Sequence, residues 1–506
     1  MKISVIGAGY VGLTTAACLA HIGHEVRCTD SDRGKLAVLE SGRMPFYEPG
    51  LDAIVSAARA NARLRFVDAR QALEHGEALF ICVGTPPQAN GEADLSAIES
   101  VAREIARHAQ GYRLIVEKST VPVQTGQRLR RHLDIYGRAG LEYDVVSNPE
   151  FLREGSAVED FFHPDRIVVG AESDRARLRM EEIYRPVLEQ SFPCPVHAAC
   201  PPGRAQAAFI VTDTNSAELI KHASNSFLAM KISYINMVSD LCEAAGADVD
   251  SVVAGIGGDR RIGAAFLRPG IGFGGFCFPK DLQAFVRIAE TFGCDFGLLK
   301  QVEAINLARV DRFIARLRDE LWTLSGKKIA VWGLAFKPET DDIRFAPAIA
   351  IIRQLLAEGA EIHAYDPQAM EKAQRELPAI HLHADAYAAA EQADAALLLT
   401  EWKEFQQLDW ARVAAAMARP LIFDGRNALP AADLAAHGIQ CVGIGKAGQA
   451  AAAAAAPSKA APSNAAKAAA PLKPATGNAA PAAPDKASPI KPAPAHPQAA
   501  LAEAGR

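Results

Sequence analysis

Lys2-Ile-Ser-Val-Ile-Gly7-Ala-Gly9-Tyr-Val-Gly12 opens the chain, and its apolar run leads directly into three spaced glycines. Such a run followed by glycines predicts a β-strand, a tight turn and then a helix, here Leu13–His21. A second apolar run ends at Asp30. Strand, glycine turn, helix, strand and terminal acidic residue together predict a Rossmann unit that binds a dinucleotide.

Each glycine of this motif has an expected role. Gly7 permits the tight turn, Gly9 lets a pyrophosphate approach the backbone, and Gly12 lets the helix pack closely on the strand. Asp30 would hydrogen-bond the adenosine ribose and repel a 2′-phosphate, which favours NAD over NADP. Basic residues that follow, including Lys35, weaken that preference.

The pattern of the first motif continues to about residue 200. Short apolar runs alternate with helical patterns, which is typical of βαβ units on a parallel sheet. The predicted strands are Ile3–Ile6, Glu25–Thr29, Ala78–Val83, Leu114–Glu117, Asp144–Ser147 and Ile167–Gly170. We therefore expect an NAD-binding Rossmann domain over residues 1–205.

A central region is expected over residues 206–320. The segment from Asp213 to Ala245 contains no proline, carries apolar residues at helical spacing, and lies between an Asp-Thr cap and Gly246. This pattern predicts one helix of about thirty residues. A helix of that length is typically a connector or a subunit interface rather than part of a compact bundle.

Residues 321–445 repeat the pattern of the first region. Lys328-Ile-Ala-Val-Trp-Gly333 resembles the opening strand and its glycine, and a second apolar run ends at Asp366. We expect a second Rossmann-like domain there. GxGxxG is absent after its first strand, so the domain either holds a different nucleotide or is purely structural, and the pattern does not decide between the two.

Composition limits the classes of function. The 506 residues are 49% hydrophobic, enough for two or three cores, and the net charge of −5 argues against a general nucleic-acid binder. Neither a signal peptide nor a run long enough for membrane insertion is found, which favours a cytoplasmic location. Residues 446–506 are mostly Ala, Pro and Lys and are expected to be a disordered tail. The nine cysteines show no CxxC pair, so no metal site is expected.

One cysteine lies in a distinctive sequence. Gly272-Phe-Gly-Gly-Phe-Cys277-Phe-Pro-Lys-Asp281 places it in a glycine-rich loop, whereas several other cysteines lie in apolar contexts and are interpreted as small hydrophobes. A cation such as Lys280 or Lys221 would lower the pKa of Cys277 and favour its thiolate. A thiolate can attack an aldehyde, and hydride loss followed by hydrolysis then gives an acid, with Asp281 handling protons.

Three further sets of residues lie where ligands could bind. Thr85 and Ser119-Thr120 follow predicted strands, although turn chemistry alone would explain them. Asn148-Pro-Glu150-Phe-Leu-Arg-Glu154-Gly155 places two carboxylates beyond a strand end, where they could accept a proton or orient water. Lys221 and Asn225 share one face of the long helix, and a buried ammonium there could stabilise an oxyanion. By themselves, these positions are explained as well by a solvated helix surface.

Together, these motifs resemble the UDP-glucose/GDP-mannose 6-dehydrogenase family. GAGYVG, EKSTVPV, SNPEFLREG, HPDRIVVG, GFGGFCFPKD, GLAFKPETDDIR and DGRN occur in the family's order from residue 1 to about residue 445. The resemblance implies an α/β fold with two Rossmann-like doubly wound domains joined by a long central helix. It also implies four-electron oxidation of a sugar-nucleotide C6 alcohol with two NAD⁺, in a homodimer or larger homo-oligomer.

The resemblance further assigns residues to roles. It implies Cys277 as the nucleophile, Lys221 and Asp281 as its catalytic partners, and Thr120 and Glu150 as residues that order a water. The implied NAD contacts are Gly7, Gly9, Val11, Gly12, Asp30, Lys35, Thr85, Thr120, Glu154, Lys280 and Arg344. The implied sugar-nucleotide contacts are Glu150, Phe151, Leu152, Arg153, Glu154, Lys221, Asn225, Phe266, Leu267, Arg268, Pro269, Gly270, Gly274, Lys337 and Arg426. Arg261 is similar to an arginine that reaches into a neighbouring subunit's site.

Two positions depart from the family's pattern. Phe276 stands where serine is often found, and Phe345 stands where a small or acidic residue is more usual. UDP-glucose is the expected substrate. The alternatives are GDP-mannose or UDP-N-acetylmannosamine with the same chemistry, or a non-catalytic nucleotide-sugar sensor, against which the retained catalytic side chains argue.

Overall fold

The computed structural model describes residues 1–197, 200 and 206–446. Its first sheet has eight strands: β1 (Lys2–Ile6), β2 (Glu25–Thr29), β3 (Leu64–Phe66), β4 (Ala78–Ile81), β5 (Gly111–Glu117), β6 (Leu141–Ser147), β7 (Arg166–Ala171) and β8 (Ala208–Thr212). They lie in the order β3-β2-β1-β4-β5-β6-β7-β8. The first six strands thus have the 3-2-1-4-5-6 order of a Rossmann domain.

Side chains that alternate along the central strands build a core on each face of this sheet. In β4, Phe80 packs in one core while Leu79 and Ile81 pack in the other, and all three are fully buried. The surrounding helices are α1 (Tyr10–His21), α2 (Arg33–Glu40), α3 (Leu51–Ala60), α4 (Ala69–His75), α5 (Ser96–His108), α6 (Thr125–Tyr136), α7 (Ala157–Phe162) and α8 (Asp174–Glu189). Strands covered on both faces need apolar residues throughout, which made six of the eight recognisable in the sequence.

The far edge of the sheet differs from the parallel arrangement that the sequence predicts. β6 and β7 pair antiparallel, with Val146 opposite Ala171, because the connection 148–165 stays at the carboxyl end of β6. β8 then pairs parallel to β7. The short β3 and the half-exposed β8 are not among the predicted strands. Because β8 follows residue 205, the first sheet extends past the domain boundary expected there.

The central region contains the expected long helix. α9 (Thr214–Ala245) has 32 residues, and the Asp213 carboxylate caps it by accepting a hydrogen bond from the Ser216 N–H at 2.8 Å. Gly246 ends it with a left-handed φ of 75°. α10 (Val249–Gly257), α11 (Cys277–Thr291) and α12 (Gly297–Leu321) follow, and α9 packs against all three. The helix predicted from its cap, its spacing and its terminal glycine is confirmed.

The second sheet repeats the Rossmann order with entirely parallel pairs. It comprises β9 (Lys328–Trp332), β10 (Glu361–Tyr365), β11 (His381–Leu382), β12 (Ala395–Leu398), β13 (Leu421–Asp424) and β14 (Gln440–Gly443), in the order β11-β10-β9-β12-β13-β14. Its helices are α13 (Pro347–Ala357), α14 (Met370–Glu376), α15 (Ala386–Ala390), α16 (Trp410–Ala416) and α17 (Ala431–Ala436), with a 3₁₀ turn at Lys403–Gln407. The α/β fold with two Rossmann-like domains and a long central helix is therefore confirmed.

Asp366, which ends β10 as Asp30 ends β2, has a structural role. It is fully buried, and Oδ2 accepts hydrogen bonds from the Leu334 and Ala335 N–H groups at 2.7 and 3.1 Å. The Trp402 indole N–H donates to the same oxygen at 3.1 Å. With its oxygens satisfied inside the protein, Asp366 has no capacity left for a ribose. A structural role therefore explains Asp366 better than nucleotide binding does.

The remaining expectations concern the tail and the membrane. The tail expected over 446–506 falls, apart from Lys446, outside the described residues. Within the described part of the chain, no helix combines the length and the apolar character needed to cross a membrane.

Candidate active site

The glycine turn after β1 has the close contacts that its sequence predicts. Gly7 has a left-handed φ of 103°, and a side chain there would meet the backbone of Cys82. A Cβ on Gly12 would overlap the Gly7 carbonyl, so α1 packs directly on the turn. Gly9 instead faces open space, with no described atom within 4 Å of the position its Cβ would take. This space adjoins the N-terminus of α1, where half-buried Val11 lies and where backbone N–H groups favour a phosphate.

Asp30 lies at the end of β2 as expected. Oδ2 accepts a hydrogen bond from the Ala8 N–H at 2.7 Å and from Lys35 Nζ at 2.9 Å, and Oδ1 accepts from the Asp32 N–H at 2.9 Å. Burial raises the pKa of Asp30, but these hydrogen bonds together lower it below its ordinary value. An ionised carboxylate at this position fits the ribose hydroxyls of a dinucleotide. The open space above Gly9 and the ionised Asp30 therefore both fit NAD.

Thr85 and Thr120 lie together at the carboxyl ends of two neighbouring strands. The Thr85 hydroxyl donates to the Thr120 carbonyl at 2.8 Å, and the Ser119 hydroxyl donates to the Val83 carbonyl at 2.8 Å. These bonds join the loops after β4 and β5. The hydroxyl groups of Thr85 and Ser119 therefore make the turn contacts that were one explanation for them. They also lie at the carboxyl edge of the sheet, where the other explanation places a ligand.

Cys277 is the first residue of α11 and is partly exposed. Five of the other eight cysteines are buried, as expected for small hydrophobes. The N-terminus of a helix favours negative charge, and this favours a thiolate at Cys277 once a proton has been removed. Position and exposure therefore distinguish Cys277 from the buried cysteines.

Asp281 lies one helical turn beyond Cys277 and is almost fully buried. Asn225 Nδ2 donates to its Oδ2 at 2.6 Å, and Lys280 Nζ lies 2.6 Å from its Oδ1. Burial would raise the pKa of Asp281, but the neighbouring cations, Lys280 foremost, hold it below its ordinary value. Asp281 is thus a buried, ionised carboxylate that can accept a proton.

Lys221 and Glu150 form a buried ion pair beside Cys277. Lys221 Nζ donates to Glu150 Oε1 at 3.1 Å, and Glu150 Oε2 accepts from the Leu152 N–H at 2.6 Å. Burial lowers the pKa of Lys221, but Glu150, Asp281 and Cys277 raise it above its ordinary value. Lys221 is therefore an ammonium held in a fixed place, which is the arrangement that stabilises a developing oxyanion.

The expectation that the pKa of Cys277 is lowered overall is wrong, although Lys221 does lower it as predicted. Burial, followed by the carboxylates of Glu150 and Asp281, raises it to about 12, although Lys221 acts in the opposite direction. The sequence identifies Glu150 and Asp281 as site residues, but it does not show that burial and these two carboxylates outweigh the effect of Lys221 on the Cys277 thiol. Cys277 therefore rests as a thiol at neutral pH, and its proton must leave as it attacks.

Glu154, the second carboxylate of the loop after β6, faces the second domain. Its Oε1 lies 3.6 Å from the Arg344 guanidinium, which pairs with Asp342 at 2.6 Å. Burial and then Asp342 raise the pKa of Glu154 to about 8, although Arg344 and Lys337 oppose this. Within the described residues, Glu154 Oε2 is buried without a hydrogen-bond partner. Such an atom fits a hydrogen bond to a bound molecule.

The glycines of the Cys277 loop pack against the loop that follows β9. The Gly275 N–H donates to the Arg344 carbonyl at 3.0 Å, and a Cβ on Gly275 would lie 2.7 Å from the Phe336 ring. A Cβ on Gly274 would overlap the Phe345 carbonyl, and Phe345 itself has a left-handed φ of 52°. Glycine is thus required here so that backbone from two domains can meet.

Phe276, which the family's pattern does not explain, contacts two predicted NAD-binding residues. The Arg344 guanidinium lies 4.5 Å from the centre of its ring, and Lys280 Nζ lies 5.7 Å from it. Cations over an aromatic face are attracted by its negative potential. Phe276 therefore helps to hold Arg344 next to Cys277. Phe345, in contrast, is exposed and contributes its backbone to this contact.

Arg426 holds the Cys277 loop on the second domain. Its guanidinium donates to the carbonyls of Gly272 at 3.0 Å, Leu399 at 2.8 Å and Phe336 at 3.3 Å. It also lies 3.4 Å from the Glu401 carboxylate. A nucleotide bound by Arg426, as predicted, would therefore compete with these contacts for the guanidinium.

The other predicted sugar-nucleotide contacts differ in exposure. Phe151 lies under the Arg166 guanidinium at 3.9 Å, and Arg153 pairs with Asp160 at 2.6 Å. Leu267, Pro269 and Gly270 are buried, Leu152, Phe266 and Lys337 are half-buried, and Arg261 and Arg268 are exposed. Arg261 pairs with Asp259 at 2.5 Å. Among the described residues, the hydrogen bonds and ion pairs of the Arg261 side chain go to Asp259 and not to Cys277, Lys221, Glu150 or Asp281.

A buried carboxyl pair, Glu117 and Glu218, was not singled out in the sequence. Glu218 accepts hydrogen bonds from the Gln124 and Gly126 N–H groups at 2.7 and 2.8 Å. Burial raises the pKa of both acids, that of Glu218 to about 7. Both Glu117 carboxyl oxygens are buried without a hydrogen-bond partner among the described residues, and a buried carboxyl beside a second one favours its protonated form. The signal in the sequence is a glutamate at the end of the otherwise apolar strand β5.

Glu48 also escaped the sequence analysis. Its carboxylate accepts hydrogen bonds from the Gly155 N–H at 2.6 Å and the Ala157 N–H at 2.7 Å, and it contacts the Tyr10 hydroxyl. It thereby fixes the end of the loop that carries Glu150 and Glu154. No local pattern indicates this, because the partners are about a hundred residues away in the sequence.

Comparisons with known proteins cover the same region. The NAD binding domain of the UDP-glucose/GDP-mannose dehydrogenase family matches residues 1–188, its central domain matches residues 215–308, and its UDP binding domain matches residues 330–431. UDP-glucose 6-dehydrogenase of Rhizobium meliloti is 44% identical over 454 residues, which cover 88% of this chain and 100% of that protein. UDP-glucose 6-dehydrogenase TuaD of Bacillus subtilis is 42% identical over 447 residues, covering 88% and 93%.

Solved structures agree with these matches. A UDP-glucose dehydrogenase from Pyrobaculum islandicum matches with a TM-score of 0.79 at 36% identity, covering 88% of this chain and 98% of that one. The matches run through both sheets and the helix between them, and NAD is the cofactor of the first domain. The chain belongs to the UDP-glucose/GDP-mannose dehydrogenase family.

Proposed function

We propose that this protein oxidises the C6 alcohol of UDP-glucose to the carboxylate of UDP-glucuronate, through a covalent intermediate on Cys277. The observation that carries the proposal is the convergence of Cys277, Lys221, Glu150 and Asp281. The residues come from three separate parts of the chain, so local structure alone does not account for their meeting. Relatives named UDP-glucose 6-dehydrogenase, at 44% and 42% identity, support UDP-glucose as the substrate.

The first oxidation needs a proton acceptor and a stabiliser of negative charge. Asp281 is ionised and accepts the hydroxyl proton, directly or through a water. The Lys221 ammonium stabilises the alkoxide that forms. Bound NAD supplies the hydride acceptor for each of the two oxidations. The product of this stage is the C6 aldehyde.

The second oxidation uses the thiol. After Asp281 has passed the first proton to water, Cys277 Sγ bonds to the aldehyde carbon as the thiol proton moves to Asp281, and Lys221 stabilises the oxyanion of the resulting thiohemiacetal. Loss of hydride gives a thioester. A water held by Thr120 and Glu150 then attacks the thioester, the C–S bond breaks, and the thiol is restored. In total, one sugar and one water give one carboxylate, two hydrides and three protons.

The binding roles in this proposal are those that the family resemblance implies. Gly7, Gly9, Val11, Gly12, Asp30, Lys35, Thr85, Thr120, Glu154, Lys280 and Arg344 hold NAD in this proposal. Glu150 to Glu154, Lys221, Asn225, Phe266 to Gly270, Gly274, Lys337 and Arg426 surround the sugar nucleotide. Glu154, with its unpartnered Oε2, lies next to groups from both sets, which supports its role at the meeting point of the two ligands.

A second copy of the chain is part of the proposal. Phe227, Tyr234 and Leu241 recur every seven residues along α9, with 57%, 59% and 67% of each exposed. A row of large apolar side chains on a long helix is expected to be covered. Arg261, with 88% of its side chain exposed, would extend from this assembly into the partner's site. A single-chain mass in light scattering at micromolar concentration would contradict the oligomer.

Five buried cysteines that are used as small hydrophobes, Cys18, Cys28, Cys82, Cys242 and Cys441, support a reducing location such as the cytoplasm. In such a compartment, Cys277 would keep its reactive form without competing disulfide exchange. Detection of the protein in an oxidising compartment would contradict this part of the proposal.

The experiment that tests the activity measures NADH release with each sugar nucleotide in turn. About two NADH per UDP-glucose consumed, with an acid as product, is the expected result. One NADH per sugar would contradict the thioester pathway. A clear preference for GDP-mannose or UDP-N-acetylmannosamine would replace the substrate and keep the chemistry, and no turnover of any of the three would favour a sensor.

A further inference from the structure

Two segments that are distant in the sequence bring four metal-binding side chains together. Cys194-Pro-Val-His197-Ala-Ala-Cys200 follows α8, and His163 follows α7. One ligand atom from each of His163, Cys194, His197 and Cys200 lies within 4.8 Å of those of the others. This Cys/His cluster is separate from the Cys277 site. The expectation of no metal site rested on the absence of CxxC pairs, and CxxHxxC with a remote histidine was not considered.

The distances within the Cys/His cluster match a tetrahedral zinc site. His163 Nε2 lies 3.2 Å from Cys194 Sγ and 3.8 Å from Cys200 Sγ, and His197 Nδ1 lies 3.7 Å from Cys194 Sγ. Zinc bonds of about 2.3 Å to sulfur and about 2.05 Å to nitrogen place tetrahedral S···N pairs about 3.6 Å apart. Of the three S···N distances, one is shorter than this value and two are slightly longer. We propose that these four side chains bind one Zn²⁺.

The surroundings of the Cys/His cluster suit a metal site. Glu159 Oε1 lies 3.8 Å from His197 Nε2, the ring nitrogen on the side away from Cys194. This distance is longer than a hydrogen bond, and a small shift of either side chain on metal binding would let the carboxylate accept from Nε2 and leave Nδ1 to bind the metal. The backbone N–H of His197 also donates to Cys194 Sγ at 3.4 Å. Such a donor stabilises the thiolate that a metal requires.

The ligand set selects the metal. Two thiolates and two imidazoles in a tetrahedron favour Zn²⁺ over hard cations, which prefer oxygen. Cys194 Sγ and Cys200 Sγ are thiol sulfurs that are not bonded to each other, so both can act as ligands. His163 is buried and Cys200 is exposed, so a metal ion can enter from the solvent at Cys200.

The zinc would be structural, because the protein supplies all four ligands and no position stays open for a substrate. It would tie the end of α7 to the segment that leads from α8 to β8. α7 also carries Asp160, whose carboxylate pairs with Arg153 in the loop after β6. The ion would therefore support that loop without touching the reacting atoms. This inference does not depend on the proposed substrate.

The test measures zinc in the full-length protein, grown with added zinc and purified without a histidine tag. Plasma mass spectrometry should find about one zinc per chain, and the Cys194→Ser/Cys200→Ser variant should retain less than about a tenth of that. Cys294→Ser removes an exposed cysteine outside the cluster and should keep the full content. Glu159→Gln should weaken Zn²⁺ affinity about 10- to 100-fold.

A spectroscopic arm keeps the inference testable if the double variant does not fold. Wild-type protein stripped by a chelator and loaded with Co²⁺ should show thiolate-to-cobalt charge-transfer absorption and the intense visible bands of a tetrahedral site. A wild-type protein without zinc or the cobalt signature would overturn the inference, as would a Cys194–Cys200 disulfide found by mass spectrometry. Zinc retained by a folded double variant would identify an adventitious ion.

Discussion

The reactivity of Cys277 towards iodoacetamide tests the electrostatics of the active site. Its pKa is raised from 9.0 to about 12, which lowers the thiolate fraction at pH 8 about a thousandfold. Thiolates of higher pKa are better nucleophiles, and a Brønsted coefficient of about 0.45 restores a factor of about 20. The free enzyme should therefore be alkylated at Cys277 roughly 50 times more slowly than an unperturbed thiol. Its half-buried position slows the reaction further.

The assay follows the Cys277 peptide by mass spectrometry from pH 7 to pH 10. Glutathione provides the reference rate, and alkylation of the exposed Cys294 shows that the reagent reaches the folded protein. The rate should rise about tenfold per pH unit without a plateau. Glu150→Gln removes a carboxylate that raises the pKa of Cys277 and should speed alkylation, whereas Lys221→Met should slow it. A plateau below pH 9, or slower alkylation in Glu150→Gln, would refute the reasoning.

Three further predictions concern the cofactor turn, the buried carboxyl pair and the ring beside the nucleophile. Gly9→Ala should leave stability unchanged and weaken NAD binding at least about tenfold by calorimetry, while Gly12→Ala, whose Cβ would overlap backbone, should lose about 3 kcal/mol or more in urea unfolding. Because the pKa of Glu218 is raised to about 7, its contribution to stability is complete below its unfolded pKa and is lost as pH rises through 7. Urea midpoints from pH 4.5 to pH 8 should therefore fall more steeply in the wild type than in Glu218→Gln, and equal slopes would contradict the raised pKa of Glu218. Phe276→Leu removes the ring under Arg344 and should raise the KM for NAD about 3- to 10-fold with a smaller change in kcat. An unchanged KM would leave Phe276 without this positioning role.

The parts of the fold that the sequence predicts correctly are those with local signals. The β1 strand is marked by its glycine turn, and α9 by the cap at Asp213 and by Gly246. The antiparallel pairing of β7 depends on where a connection runs in space, and no residue pattern near Val146 indicates it. The role of Asp366 was open for the same reason, since its partner Trp402 is thirty-six residues away.

The site divides in a similar way. The Cys277 loop, Lys221 and Asp281 were found from residue types and motif order, and the structure brings them together. The sign of the Cys277 pKa shift was missed because burial and nearby carboxylates outweigh the cations, and these are properties of packing. Arg426 is predicted to bind a nucleotide, and its guanidinium also donates to the Gly272 carbonyl of the Cys277 loop, a contact that no local pattern indicates.

The central claim is that Cys277 carries the sugar between the first and second oxidations. It is tested most directly by the number of NADH formed per UDP-glucose in wild type and in Cys277→Ala, which leaves the glycine turn and Asp30 intact. The wild type should give about two NADH per sugar and an acid product, and the variant at most about one NADH and no acid. Two NADH and a normal yield of acid from Cys277→Ala would contradict it.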